Sequence, residues 1–480
     1  MNLPDSRDHR ATTLWAGICC SGLPLAAVWQ LEFDEGLRAV HERHRDRACI
    51  FQANPAARQA GLVPGQPLET ALAIAPGLES RPRNRAMEHQ VLEDMALAAY
   101  GHSHQVALAP PDTVILEVGG SRRLRGGINP LLDALSGELE SRNLAVTAGT
   151  APFPAAARLL ARLGQHAPNR ETLLERLAPL PLAILELEPS ETRALAGCGL
   201  KTAGELFSLP APERARRFGL RLNRYLEEIR GERATPLAGW HPPETFSLEL
   251  ELPMATDDAR ALGFALNRGL DTLGRWLRVR DQALNRLDVG LRREDGGTPA
   301  TFQIGMARPG FDQEHLIELI RLRLNGLRLA APIVSFRMSA DTTGEYSPPQ
   351  TDLWSGANRG DAWPALLDRL ATRLGEDHIL GLATQADHRP EKAWRWVRPG
   401  TSAPVAESAP RPNWLLPEPR PCQRENLRLE EGPERIESGW WDGRDCRRDY
   451  WIARDGDGRK LWVFREHKPR QGWFVHGLFG

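Results

Sequence analysis

Short apolar runs alternate with amphipathic stretches through the first third of the chain. Leu14 to Ile18 and Ala26 to Leu31 read as strands, as does the β-branched run Val114 to Val118, which Gly119-Gly120 ends. Asn54-Pro55-Ala56-Ala57-Arg58 opens a helical stretch, and Gly61, Pro64, Gly65 and Pro67 punctuate the residues after it. Met87 to Tyr100 predicts a helix. A helix over Pro130 to Arg142, a strand at Leu144 to Gly149 and an Ala-rich helix from Pro154 to Leu163 continue the alternation. Such a sequence argues for an α/β or α+β sheet domain.

Residues 171–238 read as helices joined by short Gly- and Pro-marked turns. Residues 245–340 change pattern: strand Thr245 to Leu252, helix Ala259 to Arg278, strands Asn285 to Arg293 and Thr301 to Met306, helix Gln313 to Leu327, strand Ile333 to Met338. That β-α-β-β-α-β order predicts a compact split-βαβ domain. Residues 341–362 read as a linker. A short helix over Trp363 to Leu374 and a Pro-rich, flexible stretch near 399–421 come next. Arg448 to Arg454, Lys460 to Glu466 and Trp473 to Leu478 predict a small antiparallel sheet.

Composition narrows the function less than the pattern does. The 480 residues include 61 basic and 62 acidic side chains, so overall charge gives no sign of a nucleic-acid partner. Hydrophobic content of 41% and charged content of 26% are those of an ordinary globular protein. Only Lys201, Lys392, Lys460 and Lys468 are lysines; the other basic residues are arginines, as a GC-rich genome would give. Cys19, Cys20, Cys49, Cys198, Cys422 and Cys446 contain no C-x-x-C and suit reduced thiols in a cytosol. His41, His44 and Cys49 lie in a charged run that reads as surface rather than metal site. No signal peptide or membrane-spanning run is expected.

Candidate chemistry concentrates at Asp112-Thr113-Val114-Ile115-Leu116-Glu117. A metal-dependent nucleotidyl transferase would place an Asp-Glu pair at the leading edge of such a strand. Two-metal phosphoryl transfer needs several carboxylates converging on two hard cations. Here Thr113, a neutral hydroxyl, stands second. Another acid, such as Glu117, would have to substitute, and strand alternation points Glu117 away from the Asp112 face.

The order of these pieces over residues 12–345 resembles the Y-family of translesion DNA polymerases. Asn54 to Arg58 with Gly61 and Gly65 looks like the family's fingers motif, and Asp112 to Gly119 like its catalytic strand. Gly149-Thr150-Ala151-Pro152-Phe153-Pro154 looks like its strand-to-helix motif. Ala196-Gly197-Cys198-Gly199-Leu200-Lys201-Thr202 looks like the thumb helix-hairpin-helix. The departures are systematic. No Asp or Glu occurs from Thr12 through Gln30, Pro55 stands at the triphosphate-binding tyrosine, and Phe153-Pro154 replace an asparagine-lysine pair; Arg58 and Arg158 persist. This pattern of loss resembles one branch, the polymerase-like subunits of bacterial DNA-damage mutagenesis cassettes. Ala107 to Pro111, Gly119-Gly120-Ser121, Asp387 to Arg395, and Gly432 to Glu437 leading to Trp440-Trp441 also look like that branch.

The resemblance implies an α+β multidomain fold. It would have a right hand of palm and fingers (12–170), helical thumb (171–238) and split-βαβ little finger (245–340). A linker with a clamp-binding motif (341–362), a helix plus Pro-rich linker (363–432) and a C-terminal β module (433–480) would complete it. It implies no enzyme, no cofactor and no metal, with Asp112, Thr113 and Arg58 vestigial. Gln350-Thr351-Asp352-Leu353-Trp354 resembles the peptide with which bacterial polymerases bind the β sliding clamp; a plain linker with one buried Trp is the alternative. Gly197, Gly199, Lys201 and Thr202 would meet a DNA phosphate at a helix N-terminus, or form a merely structural turn. Nine little-finger arginines, Arg275 and Arg278 among them, would give weak contact with primer-template. Roughly half of the C-terminal aromatics read as core and the rest as a protein-binding face, with base stacking on single strands the alternative. The implied partners are an error-prone C-family DNA polymerase and a RecA-like accessory protein, in the cytoplasm at the nucleoid. The expected function is a non-catalytic scaffold in damage-induced (SOS) translesion synthesis. An active, low-efficiency polymerase and a pure protein adaptor are the alternatives.

Overall fold

The computed structural model describes residues 13–29, 36–44, 46–120, 126–344, 359–401, 410–468 and 471–480. Two compact units divide the chain: residues 1–304 with 309–350, and residues 305–308 with 351–480.

In the first unit, β1 (Trp15–Cys19) and α1 (Leu23–Val28) lead to β2 (Arg38–His44), β3 (Arg47–Ala53), α2 (Pro55–Gln59), α3 (Leu68–Ile74) and β4 (Glu79–Pro82). Helix α4 (Arg85–Tyr100), β5 (Val106–Ala109), β6 (Thr113–Glu117), α5 (Ile128–Glu140), β7 (Thr147–Ala151) and α6 (Pro154–Ala161) come after them. The helical segment comprises α7 (Arg170–Leu177), α8 (Pro189–Gly197), α9 (Ala203–Ser208), α10 (Ala211–Phe218) and α11 (Leu220–Ile229). After β8 (Gly239–Trp240) come β9 (Ser247–Thr256), α12 (Ala259–Arg280), β10 (Gln282–Arg293), β11 (Ala300–Gly310), α13 (Gln313–Gly326) and β12 (Ile333–Gly344).

Among the described residues these elements build three sheets. The palm-like sheet runs β7-β1-β6-β5-β8, a smaller one β3-β2-β4, and the split-βαβ sheet β11-β10-β12-β9. In the palm sheet, β1 pairs antiparallel with β6 (Cys19 opposite Thr113) and with β7 (Gly17 opposite Gly149). Ala16, Ile18, Val114 and Leu116 face α4 and α5, whose Val91, Met95, Leu135 and Leu139 fill that core. Alternate positions Trp15 and Ala151 face α6 and the thumb-like helices.

Helix α6 lies close against β1 and β7 because both sides are small. A Cβ at Gly17 would stand 2.6 Å from the Ala157 carbonyl oxygen, and one at Gly149 would strike the Ala161 amide.

One expectation for this unit differs from the structure. The run from Ala26 has the apolar content of a strand, yet Leu23–Val28 is helical. Pro24 fixes φ in its first turn, and Leu and Ala favour helix over strand. The charged run Arg38–His44 is a strand, and His41 Nδ1 lies 2.8 Å from Ser80 Oγ.

The second unit holds α14 (Arg359–Leu374), the hairpin β13 (Gly381–Thr384) and β14 (Trp394–Val397), and five further strands. These are β15 (Trp414–Cys422), β16 (Arg428–Ser438), β17 (Cys446–Arg454), β18 (Lys460–Lys468) and β19 (Gly472–Leu478), in the order β15-β19-β18-β17-β16. The module therefore begins near Trp414 rather than at 433, and the Pro-rich stretch is partly strand. Pro417, Pro419 and Pro421 alternate, so their missing N–H groups fall on one side of β15, which is an edge strand that tolerates the loss. Tyr450, Trp462 and Phe464 pack on one face and Trp451 and Trp473 on the other.

His476 is buried in that core, with Nδ1 2.8 Å from the Tyr450 hydroxyl. Burial pushes its pKa down to about 4. The unfolded chain therefore binds a proton that the folded sheet refuses, and stability falls as pH drops from about 6.5 toward 4. Acid titration followed by tryptophan fluorescence should show this loss, flattened in His476→Gln. Gly149→Ala should destabilise the first unit by about 1–3 kcal/mol through overpacking, measured by urea denaturation.

Candidate functional site

Asp112 sits at the entrance of β6, where the Cys20 amide donates to its backbone carbonyl at 2.8 Å. The residue facing it across the ladder is thus a thiol. Burial pushes Cys20 up to about 12, with Cys19 and Asp112 adding to the shift; Cys19 is raised by burial and then by Asp112. Both stay neutral thiols.

The Asp112 carboxylate is already engaged. Its Oδ1 accepts from the Thr113 hydroxyl at 2.8 Å and from Arg162 Nη2 at 2.9 Å. Arg162 Nη1 lies 3.0 Å from Glu186 Oε1, and Arg158 Nε lies 2.8 Å from the same oxygen. Arg158 also donates to the Pro110 carbonyl. Two guanidiniums and two carboxylates thus close a neutral cluster joining the palm strand to the start of the thumb-like segment. Burial works against the charge of Arg162, yet Asp112 and Glu186 outweigh it and hold its pKa above the ordinary value.

The likeness of the Asp112 strand to a catalytic strand implies a two-Mg²⁺ site, and the residues present do not fit one. A single carboxylate, shared with a guanidinium, is not a donor set for two dications. A dication about 4 Å from Arg162 would meet repulsion on the order of 8 kcal/mol at an effective dielectric near 20. Among the described residues no group of three or more His, Cys, Asp or Glu converges as a metal site. Glu117 is committed elsewhere, accepting from the Gly119 amide at 2.8 Å and from Gly120. Arg58 is exposed on α2 and lies outside the Asp112 cluster.

In the thumb-like segment, Gly197 ends α8, Gly199 adopts φ +74°, and Thr202 caps α9. The Glu205 carboxylate accepts from the amides of Lys201 at 2.7 Å and Thr202 at 3.2 Å. Those donors, expected to face a phosphate, are occupied by the chain itself. Several of the little-finger arginines are buried or paired. Arg275 is buried, and Arg286, Arg292 and Arg293 pair with Asp288, Glu251 and Asp295. Gln350, Thr351, Asp352, Leu353 and Trp354 lie outside the described residues.

In the second unit a feature unread in the sequence organises the exposed aromatics. Arg389, 3% exposed, donates to Asp387 and Asp442 through paired hydrogen bonds and to the Arg444 carbonyl. Lys392 Nζ also reaches Asp442 Oδ2 at 2.6 Å. Arg389 and Lys392 hold the Asp442 carboxyl well below the usual carboxylate range. A side chain at Gly439 (φ +93°) would collide with Arg389 and Arg444. This clamp fixes the loop that carries exposed Trp440 and Trp441.

Residues 33–162 match the impB/mucB/samB family. The matched segment includes Asp112, Arg158 and Arg162, three of the four charged residues of the cluster. The chain is also 27% identical over 470 residues to Protein ImuB of Caulobacter vibrioides, in strains NA1000 / CB15N and ATCC 19089 / CIP 103742 / CB 15. That match covers 88% of this chain and 100% of each relative, so the chain is ImuB-like along most of its length. Similar solved structures include a Y-family polymerase chimera, Dbh-Dpo4(243-245)-Dbh (16% identity, TM-score 0.41, 68% of this chain and 98% of that one). DinB from Sulfolobus solfataricus is similar at 16% identity and TM-score 0.40, over 69% of this chain and 100% of its own.

Asp112→Ala should destabilise the first unit by about 1–3 kcal/mol, the range for a charged hydrogen-bonded pair. Millimolar Mg²⁺ should leave the wild-type melting temperature unchanged, whereas a working dication site would raise it.

Proposed function

We propose that this protein is a non-catalytic, polymerase-like scaffold in damage-induced translesion synthesis and mutagenesis. It links the β sliding clamp and primer-template DNA to an error-prone C-family DNA polymerase and a RecA-like accessory protein. The observation that carries this reading is the Asp112 carboxylate held by Arg162, opposite the neutral thiol of Cys20. Chemistry lost at that strand has to be supplied by a partner.

Support for partner binding comes from the second unit. Of twenty large hydrophobic side chains exposed among the described residues, twelve lie there, including Trp440 and Trp441. Exposed aromatic and aliphatic groups at that density favour protein contacts. The clamp contact rests on Gln350 for polar recognition and on Leu353 and Trp354 as apolar anchors.

The pure-adaptor reading draws on Glu205, which occupies amides that would otherwise meet a DNA phosphate. Lys201 keeps an exposed side chain there, and the scaffold reading assigns it a weak phosphate contact. Steep salt dependence of DNA binding supports the scaffold; salt-independent binding, or none, supports the adaptor.

Replacing Gln350, Leu353 and Trp354 together by Ala should abolish binding to the purified clamp, measured by surface plasmon resonance. Unchanged affinity removes the clamp from the proposal.

A further inference from the structure

Across the palm sheet from α6, helix α12 packs against α4, and two arginine side chains are buried beside that contact. Arg275 of α12 is 5% exposed, and the side chain of Arg142, just beyond α5, is 9% exposed. Both guanidiniums donate through Nη2 to one neutral oxygen, Thr272 Oγ1, at 3.1 Å each. Arg142 Nη2 reaches Asp94 Oδ2 only at 3.4 Å. Arg275 Nη1 stands 3.7 Å from Glu138 Oε1, beyond hydrogen-bond reach. Nε and Nη1 of both arginines are therefore buried without a hydrogen-bond partner.

The acids facing this cluster are Asp94, Glu138 and Asp271, against Arg142, Arg268, Arg275 and Arg278. Burial, with Arg142 alongside, pushes Arg268 and Arg275 down to about 10. Two like charges share one hydroxyl, each acid reaches them only loosely, and four buried donors are left over for a further acceptor. A cavity of about 470 Å³ opens beside them, lined by Arg275, Arg278, Glu138, Leu97, Tyr100 and Val279. Its volume suits a small organic ligand, and the guanidinium forks suit an oxyanion.

The geometry points to a binding site for a phosphate-bearing small molecule of nucleotide size at the junction of α4, α5 and α12. Arg275 and Arg278 take the phosphate, while Leu97, Tyr100 and Val279 cover the organic body. Glu138 remains an acceptor for a sugar-type hydroxyl.

The test is calorimetric titration of the full chain with AMP, adenosine and inorganic phosphate. AMP should bind at least about tenfold more tightly than either fragment, and Arg275→Gln or Arg278→Ala should each weaken AMP by about tenfold or more. Arg278 is exposed, so its variant decides the matter if Arg275→Gln fails to fold. AMP binding no tighter than adenosine, or unchanged in Arg278→Ala, overturns the phosphate assignment. AMP binding no tighter than inorganic phosphate overturns the organic pocket.

Discussion

Helix α6 reaches the palm sheet only because Gly17 and Gly149 present no Cβ and the helix offers alanines in return. That approach carries Arg158 and Arg162, one helical turn apart, over the entrance of β6. There they meet Asp112 and Glu186. Asp112 is consequently not a stranded remnant. It accepts from Thr113 and Arg162 and ties the strand to the segment after α6. The entrance of β6 is closed by fixed side-chain cations.

Much of the architecture is legible in the sequence because it is local. The strand Val114 to Val118, the helices after Met87 and Pro154, and the split-βαβ order all come from periodicity and turn residues. The two departures have local causes as well. The short α1 has the apolar content of a strand but Pro24 and alanines in its turns. The edge strand β15 hides behind prolines that only an edge position accommodates.

The site is legible in part. Asp112 and Thr113 stand out because an expected acid is missing. The partners Arg162 and Glu186 do not, since 50 and 74 residues separate them from Asp112 and only the packing of α6 joins them. The same holds for the Arg389–Asp442 clamp, which crosses 53 residues to fix Trp440 and Trp441. Spacing along the chain carries no trace of such long-range pairs. In the thumb-like hairpin the glycines do mark a turn. Glu205, which occupies the amides, had its own signal in the capping pattern of Thr202 and Glu205, and the expected phosphate contact left it out.

The central claim is that the Asp112 strand cannot support nucleotidyl transfer and that a partner supplies the chemistry. Primer extension by the purified chain, with Mg²⁺ and all four nucleotides, tests it most directly. The account predicts no incorporation above that of an Asp112→Ala control. Template-directed extension by the wild type that disappears in Asp112→Ala would contradict it.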